Sequence, residues 1–304
     1  SLTTQLQYAA DWPVFSQPRA LFLGGNTGSK ETVIQFIDVT TTGNASDFGD
    51  LTAGRASLMS ASSKIRAVAA GGNTGSAVNV IDYVTIASEG NASDFGDLSS
   101  TSQEGTGTGS STRGLFQLGL ATDNVNTIEY VTIASTGNAT DFGDRTTTAA
   151  YGQDSAVSSP TRGVFSGGFI SSSVNIIDYV TIASTGDATD FGDTSVTRYG
   201  MGGASSATRG VFGGGNTSGD TMDYITIAST GNASDFGNLT NSPRYISGTS
   251  NGVRGIFGGG KVSSTRQDVI QYITIASTGN ATDFGNLIAS NFSLTATSGS
   301  HGGI

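Results

Sequence analysis

Ala-Ser-Thr-Gly-Asn-Ala-Thr-Asp-Phe-Gly, residues 276–285, is the stretch of this chain that decides its fold, because the chain repeats it six times with small changes. Its last three residues, Asp-Phe-Gly, recur at positions 47–49, 94–96, 141–143, 190–192, 235–237 and 283–285. The six phenylalanines are therefore 47, 47, 49, 45 and 48 residues apart. A repeat of this length is typical of one propeller blade, so the sequence predicts a six-bladed β-propeller.

Residues 206–250 form the fifth repeat and show how one blade is built. An apolar strand ending in the glycines at 213–215 is followed by a polar loop and by a strand at 222–229. A Thr-Gly-Asn turn leads to a third strand at 233–239, and a fourth strand begins at Pro243. Four short strands per repeat, with no helical period, predict an all-β fold of four-stranded blades.

A phenylalanine and an arginine keep the same place in all six repeats. The phenylalanine belongs to Asp-Phe-Gly, and we expect it to be buried between blades, where truncation to alanine would cost roughly 3–5 kcal/mol. The arginine opens the strand that ends in glycines, which is the second strand of a blade when the strand before it is counted as the first. The predicted structural residues are Phe48, Phe95, Phe142, Phe191, Phe236 and Phe284, together with Arg19, Arg66, Arg113, Arg162, Arg209 and Arg254.

Two interpretations of the six arginines remain open. The guanidinium groups could surround one mouth of the central channel and attract an anionic sugar or a carboxylate. Alternatively, each arginine pairs with a carboxylate of the same or the next blade, since the six Asp-Phe-Gly motifs supply one aspartate per arginine.

The repeated Asn-Ala-Ser and Asn-Ala-Thr triplets also have two interpretations. They match the acceptor pattern for N-glycosylation. Tight turns favour the same residues, and Asp187 replaces the asparagine in the fourth repeat, so turn chemistry is the preferred interpretation. The asparagines concerned are Asn44, Asn91, Asn138, Asn232 and Asn280.

The two ends of the sequence predict how the ring closes. Residues 291–297 resemble a first strand that has no blade of its own, whereas the first repeat begins at its second strand. We expect the C-terminal strand to complete the first blade, so that removal of residues 289–304 would unfold the whole domain. The propeller then covers residues 17–304. Residues 1–16, with Trp12, form an N-terminal arm that packs on the propeller or docks on a neighbouring subunit.

Composition excludes several functional classes. The 304-residue chain has a formal net charge of −10 and only 14 Lys and Arg, so we expect no binding to nucleic acid or to an anionic membrane surface. No apolar run reaches the length of a membrane span, and the first residues lack the pattern of a secretion signal. Cysteine is absent, which removes disulfide and thiolate chemistry.

The inventory of catalytic side chains argues against an enzyme. His301 is the only histidine, so neither a Ser-His-Asp triad nor a histidine zinc site is expected. Carboxylates could still hydrolyse a glycoside, and Glu89, Glu104 and Asp123 are the acids best placed in loops for that reaction. Because no repeat carries a long insertion, we expect no catalytic residue, no cofactor and no metal ion.

The order of features in each repeat resembles the kelch repeat, a strand ending in Gly-Gly followed by a polar loop, a hydrophobic strand and fixed aromatic positions. This chain has phenylalanine where kelch units usually carry tryptophan. A second resemblance is carried by residues 272–285, Tyr-Ile-Thr-Ile-Ala-Ser-Thr-Gly-Asn-Ala-Thr-Asp-Phe-Gly. This sequence is similar to repeats in virion proteins of aquatic bacteriophages. That resemblance implies an extracellular particle component, such as a tail or capsid appendage.

The resemblance leads us to expect a non-enzymatic structural or attachment protein of a virion, with other virion proteins and host-surface glycan as partners. A secreted or cell-surface glycan-binding adhesin and a carboxylate-based glycosidase are the alternatives, and a homo-oligomer is compatible with each. Binding is expected in the variable loops at 101–110, 121–126, 169–173 and 261–266, centred on the divergent third repeat. The candidate binding residues are Glu104, Gln117, Leu120, Asp123, Glu129, Lys261 and Arg266.

Overall fold

The computed structural model describes residues 18–120, 125–148 and 155–304. These residues form six antiparallel sheets, five of four strands and one with an additional short fifth strand, and they contain no helix. The predicted all-β, six-bladed propeller is therefore confirmed. The predicted arm, residues 1–16, lies outside the described residues.

Each blade runs from an inner strand at the central channel to an outer strand at the rim. Blade 1 contains β25 (Thr295–Ser298), β1 (Arg19–Leu23), β2 (Val33–Asp38) and β3 (Ser46–Asp50), and blade 2 contains β4 (Met59–Ser62), β5 (Arg66–Ala70), β6 (Val78–Thr85) and β7 (Ser93–Ser102). Blade 3 contains β8 (Thr106–Gly109), β9 (Arg113–Gln117), β10 (Thr127–Thr132) and β11 (Thr140–Asp144), and blade 4 contains β12 (Ser155–Ser158), β13 (Arg162–Ser166), β14 (Ile176–Thr181) and β15 (Thr189–Asp193). Blade 5 contains β16 (Met201–Ser205), β17 (Arg209–Gly214), β18 (Thr221–Thr226) and β19 (Ser234–Asn238), and blade 6 contains β20 (Ser247–Ser250), β21 (Arg254–Gly258), β22 (Lys261–Val262), β23 (Thr265–Thr274) and β24 (Thr282–Asn291).

Small residues allow the six inner strands to converge. These strands contact one another in a closed circle, in the order β25, β4, β8, β12, β16 and β20. A Cβ atom on Gly107 would lie 2.3 Å from the carbonyl oxygen of Ser60, and one on Gly203 would lie 2.4 Å from that of Ala156. Glycine is therefore required where the backbones of neighbouring blades approach most closely.

The strand predicted to begin at Pro243 starts only at Ser247, and it is the inner strand of the next blade rather than the fourth strand of the same one. Tyr245 has a φ of +57°, a left-handed conformation that cannot continue an extended strand. The chain therefore crosses from blade 5 to blade 6 through a loop at this point.

The C-terminal strand closes the ring, as predicted. β25 pairs with β1 in the antiparallel direction, with Ala20 opposite Ser298 and Leu23 opposite Thr295. β1 also pairs with β2, so blade 1 combines the last strand of the chain with the first three. The ring consequently has no open edge between its first and last blades.

Each Asp-Phe-Gly phenylalanine is buried between two blades, as predicted, with 2 % of its surface exposed. Phe48 packs with Leu21 of its own blade and with Ala67 and Val84 of blade 2. It also meets the ring of Phe36 edge-on, at a centroid distance of 6.0 Å. The same edge-to-face contact recurs in the other five blades at 5.8 to 6.1 Å. These contacts form the hydrophobic core between the blades.

The glycine of Asp-Phe-Gly receives the turn of the following blade. Gly90 N donates a hydrogen bond to Phe48 O at 2.8 Å, and Asp50 N donates to Asn91 Oδ1 at 3.1 Å. A Cβ atom on Gly49 would lie 2.4 Å from the carbonyl oxygen of Gly90, so only glycine fits. The asparagine turn therefore joins each blade to the one before it, in addition to closing its own hairpin.

Among the described residues, only one of the six repeated arginines has a predicted role: Arg19 pairs with Glu89 of the next blade at 3.0 Å. Each guanidinium carbon lies 4.3 to 4.8 Å from the aromatic ring centroid of its own blade's third strand. Each also donates to a carbonyl oxygen just after the third strand of the next blade, at 2.9 to 3.3 Å. The Asp-Phe-Gly aspartates face solvent on the outer strands, beyond reach of these arginines. The arginines therefore stack on a ring of their own blade and link it to the next blade through backbone acceptors.

A buried polar residue precedes the aromatic residue of every third strand and forms a second set of contacts between blades. The six residues are Gln35, Asp82, Glu129, Asp178, Asp223 and Gln271. Asp82, for example, accepts a hydrogen bond from Thr52 Oγ1 of the preceding blade at 2.7 Å. The three aspartates also bind buried arginines, in the pairs Arg55–Asp82 at 2.5 Å, Arg145–Asp178 at 2.9 Å and Arg198–Asp223 at 2.8 Å.

Candidate functional site

The two ends of the disc carry different connections. The hairpin face carries the turns between the first and second strands and between the third and fourth strands of each blade. The loop face carries the connections between the second and third strands and the crossings from one blade to the next. The Thr-Gly-Asn turns of the hairpin face are repeated, whereas most loop-face connections differ between blades. Blades 1 and 2 share the sequence Gly-Gly-Asn-Thr-Gly-Ser, at residues 24–29 and 71–76, and the connections of blades 3 to 6 depart from it. Variable loops on a rigid scaffold make the loop face the candidate site.

Described residues narrow the central channel at both ends. At the loop face, backbone hydrogen bonds join residues that precede the inner strands, including Ser57 N to Ser293 O at 2.7 Å and Ser293 N to Tyr245 O at 3.2 Å. At the hairpin face, residues 299–304 form a C-terminal plug, in which His301 Nε2 lies 3.1 Å from Ser62 O. Two cavities between the inner strands have volumes of about 50 and 40 Å³, enough for a few water molecules. The described part of the channel is therefore too narrow for a sugar.

Four half-buried aromatic side chains form an arc on the loop face. Phe169, Tyr199, Tyr245 and Phe292 come from the loops of blades 4, 5, 6 and 1. Successive ring centroids are 5.5, 5.9 and 6.3 Å apart. Rigid aromatic rings at a surface supply contact area with little loss of side-chain entropy. The aromatic arc therefore joins the loops of four blades into one apolar surface.

Three cations lie beside the aromatic arc and form what is termed here the cation row. Arg244 is paired with Lys261, and Lys261 is paired with Arg266 across the short hairpin of β22 and β23. Lys261 Nζ lies 3.6 Å from the ring centroid of Phe292, and Arg266 Cζ lies 5.9 Å from the same centroid. Arg244 Cζ lies 5.6 Å from the ring centroid of Tyr245. The cations and the rings therefore form one continuous surface.

A pocket opens beside the cation row, between the loops of blades 5 and 6. Its volume is about 410 Å³, which is within the range of small-molecule sites. Arg244 and Lys261 contribute to its wall, together with the polar side chains of Asn216, Ser242 and Ser263. No carboxylate is among the residues that line it. The pocket therefore combines positive charge with neutral hydrogen-bonding groups.

Tyr245 connects the aromatic arc to the loop-face end of the channel. Burial, the neighbouring hydroxyl group of Tyr199 and the negative charge of Glu104 together raise the pKa of Tyr245 to about 12. The hydroxyl group of Tyr245 is therefore protonated at neutral pH and can donate a hydrogen bond.

Four of the predicted binding residues lie on the loop face. Lys261 and Arg266 belong to the cation row, and Glu104 lies close enough to Tyr245 to raise its pKa. Leu120 is half-buried in the loop that follows the second strand of blade 3. The structure thus brings together residues from widely separated parts of the sequence.

The remaining predicted binding residues do not reach this surface or lie outside the described residues. Gln117 and Glu129 are strand residues with 0 % and 1 % of their surface exposed, so the prediction that they line a binding loop is corrected. Glu129 accepts a hydrogen bond from Ser99 N at 3.2 Å and holds two blades together. Asp123 lies outside the described residues. The aromatic arc also spans blades 4, 5, 6 and 1, and not the third repeat.

Two of the acids considered for glycoside hydrolysis are far apart. Glu89 precedes β7 on the hairpin face, and Glu104 follows β7 on the loop face. β7 has ten residues, and a strand of that length spans roughly 30 Å. Glycosidase carboxylates are about 5 to 10 Å apart, so Glu89 and Glu104 do not form such a pair. Glu89 instead binds Arg19 at 3.0 Å.

The fold and its loop face define the class of protein as a six-bladed β-propeller with a polar-aromatic loop surface. No model of a known protein family matches the chain, and no curated protein matches it either. In the described ranges, no group of three or more His, Asp or Glu side chains is arranged to hold a metal ion. Those ranges also contain no helix that is long and apolar enough to cross a membrane.

Sequence reasoning missed Tyr199, Arg244, Tyr245 and Phe292 as site residues. Three of them, Tyr199, Arg244 and Phe292, occupy a loop position before the inner strand at which blade 2 carries Ala56. A comparison of the repeats at this position would have shown large aromatic or cationic side chains in place of a small one. That substitution pattern is the signal in the sequence that could have found them.

Proposed function

We propose that this chain is a non-enzymatic attachment or structural protein of a virion, which presents its loop face to host-surface glycan or to a neighbouring virion protein. The aromatic arc carries the proposal, because it lies on the face where the repeats differ from one another. Six nearly equal blades hold these loops on strands, which suits a rigid binding surface.

The proposed location in a virion is supported by the sequence of the repeat, which is similar to repeats in virion proteins of aquatic bacteriophages. The kelch-like order of features in each repeat is compatible with a binding role. Surfaces rich in Ser, Thr, Asn and aromatic residues make weak contacts with sugars, and many copies on one particle would raise the overall affinity.

A glycan array tests the binding role. We expect the purified chain to bind a subset of glycans and the variant Tyr199→Ala/Phe292→Ala to lose that binding, because two rings of the arc are removed. The matched control is Ile65→Ala/Val253→Ala, which truncates two exposed apolar side chains of the hairpin face and should bind as the parent does. Full binding by the arc variant would contradict the proposal.

Immunogold labelling tests the location. Antibodies against the chain should label phage particles in an environmental or cultured preparation that contains this sequence. Labelling confined to a bacterial surface would favour the alternative of a secreted or cell-surface adhesin.

A further inference from the structure

The three cations of the cation row form no ion pair with a described residue. The chain has 24 Asp and Glu against 14 Lys and Arg, yet no described carboxylate lies within 4.0 Å of Arg244, Lys261 or Arg266. The three buried arginines that join blades, by contrast, each contact an aspartate. The buried Nε atoms of Arg244 and Arg266 have no hydrogen-bond partner among the described residues, so any anion would meet the terminal nitrogen atoms of these guanidinium groups. An anionic group at this place would therefore meet cations that are not already paired.

The arrangement of the three cations opposes folding. Arg244 and Lys261 are cross-strand neighbours, and so are Lys261 and Arg266. Like charges directly opposite each other destabilise a pair of strands. Partial burial and the two arginines lower the pKa of Lys261, which reflects the same repulsion. A local conflict of this kind in an otherwise consistent fold is expected at a functional site.

Groups suited to a sugar adjoin the cation row. The rings of Phe292 and Tyr245 lie within 6 Å of the cations and offer apolar surface to the C–H face of a sugar. The pocket beside them adds the hydroxyl groups of Ser242 and Ser263 and the amide of Asn216, which can both donate and accept hydrogen bonds. Charge, apolar surface and neutral polar groups are thus within reach of one ligand.

We propose that the cation row, the adjacent rings of the aromatic arc and this pocket form one binding site for an acidic saccharide, a sugar chain that bears carboxylate or sulfate groups. The inference rests on the proposed function, because it assigns a ligand class to the same loop face. The arginine forks match the paired oxygens of a carboxylate or sulfate, while the rings hold the body of the sugar. β22 occurs only in blade 6 of the described structure, so this site is found once in the ring.

Nucleic acid is the main competing polyanion, and charge favours the saccharide. A nucleic acid places a phosphate at every nucleotide and needs a long basic track. The cation row is three residues long on a chain of net charge −10, so it can neutralise a few separated charges but not a continuous phosphate backbone.

Calorimetric titration of the purified chain with three probes tests the inference. The probes are an oligogalacturonate, a dextran sulfate and neutral dextran, each titrated at low and high salt. We expect at least one acidic probe to bind about tenfold or more tightly than neutral dextran, with an affinity that falls as salt rises. The carboxylated and sulfated probes show which anionic group is preferred.

The variant Lys261→Gln/Arg266→Gln should bind the acidic probe about tenfold or more weakly than the parent, because two charge-assisted contacts are lost. Its melting temperature should be unchanged or higher, because like charges are removed, so weak binding would not reflect unfolding. The control Lys64→Gln removes one positive charge from the hairpin face and should bind within about twofold of the parent.

The outcomes separate this inference from the proposed function. Equal affinity for neutral and acidic probes, or unchanged affinity of Lys261→Gln/Arg266→Gln, overturns the acidic-saccharide site. If Tyr199→Ala/Phe292→Ala still loses glycan binding in that case, the proposed function stands. If both variants bind as the parent does, both proposals fail. Tighter binding of a short single-stranded DNA than of either acidic probe also overturns the inference.

Discussion

At the scale of single residues, Phe236 and Gly237 show why Asp-Phe-Gly recurs in every blade. The ring of Phe236 is buried between blades 5 and 6 with Ile273 and Ile275. Gly237 lies against the turn of blade 6, where an added Cβ atom would be 2.5 Å from the carbonyl oxygen of Gly279. The aspartate of the motif is exposed in all six copies. The motif is therefore a contact between blades and not a reactive site.

Phe236→Ala should lower the free energy of unfolding by about 3–5 kcal/mol, because it removes a fully buried ring and leaves a cavity between two blades. Val253→Ala is the control, since Val253 is 64 % exposed and its truncation should change stability by less than about 0.5 kcal/mol. Guanidinium chloride unfolding followed by circular dichroism measures both. A loss below about 1 kcal/mol for Phe236→Ala would show that the ring does not hold the blades together.

The buried polar residue of the third strand varies with its partner. Aspartate is found where a buried arginine approaches, as in the pair of Asp82 and Arg55. Glutamine is found at Gln35 and Gln271, which bind neutral groups only. Glu129 departs from this pattern, because it is a buried carboxylate with no described cation within 4.0 Å.

We therefore expect Asp82→Asn and Glu129→Gln to differ in their effect on the free energy of unfolding. Asp82→Asn leaves the buried guanidinium of Arg55 without a counter-charge and should lower the free energy of unfolding by about 3–5 kcal/mol. Glu129→Gln keeps an acceptor for Ser99 and removes a buried charge, so stability at pH 7 should be unchanged or higher. Chemical denaturation at pH 7 compares them, and equal losses in the two variants would refute this account.

At the scale of secondary-structure elements, the C-terminal plug fills the end of the channel that the inner strands leave open. A Cβ atom on Gly302 would lie 2.4 Å from the carbonyl oxygen of Ser206, so a larger residue would displace the backbone. His301 precedes it, and desolvation in this mouth lowers the pKa of His301 below its usual value of 6.5. The plug therefore holds a neutral imidazole against the strand ends.

The plug should make stability depend on pH. Because the pKa of His301 is lowered in the folded protein, this residue binds fewer protons in the folded state than in the unfolded state. The contribution of His301 to the free energy of unfolding is therefore fully present above about pH 6.5 and is lost as the pH falls below that value. We expect the drop in unfolding free energy between pH 7 and pH 5.5 to be smaller in His301→Gln than in the parent. Denaturant unfolding at both pH values measures the difference, and identical drops would exclude a role for His301.

At the scale of the whole molecule, ring closure through β25 should decide whether the blades fold as one unit. A chain lacking residues 293–304 loses β25 and the plug but keeps β24 complete, and we expect it to unfold or to melt at a much lower temperature. A chain lacking only residues 299–304 keeps β25 and should melt close to the parent. Thermal denaturation followed by circular dichroism compares the two truncated chains. An unchanged melting temperature for the chain lacking residues 293–304 would refute the role of β25 in closing the ring.

The repeat made the architecture predictable, whereas the surface was predictable only in part. Phe48 and its equivalents mark each blade at a fixed spacing, and the strand beyond β24 could pair only with the incomplete first blade. The partner of Arg66 could not be read in the same way, because a backbone carbonyl acceptor leaves no mark in the sequence. The members of the aromatic arc lie in different repeats, so only a comparison of the repeats at the loop position of Tyr199 and Phe292 could have indicated them, and Tyr245 brings their rings into one arc.

The pairing of β1 with β25 also sets how the disc would respond to mechanical tension. Ala20 lies opposite Ser298, so the chain enters β1 and leaves β25 at adjacent points on the hairpin face. A pull that separates these two points would break the hydrogen bonds between β1 and β25 one at a time, because the load falls on each bond in turn. A pull between the loop face and the hairpin face would instead be shared by the strands of all six blades. A load that does not act across the pairing of β1 with β25 therefore leaves the ring closed, whereas a load that pulls these two strands apart opens the ring at blade 1.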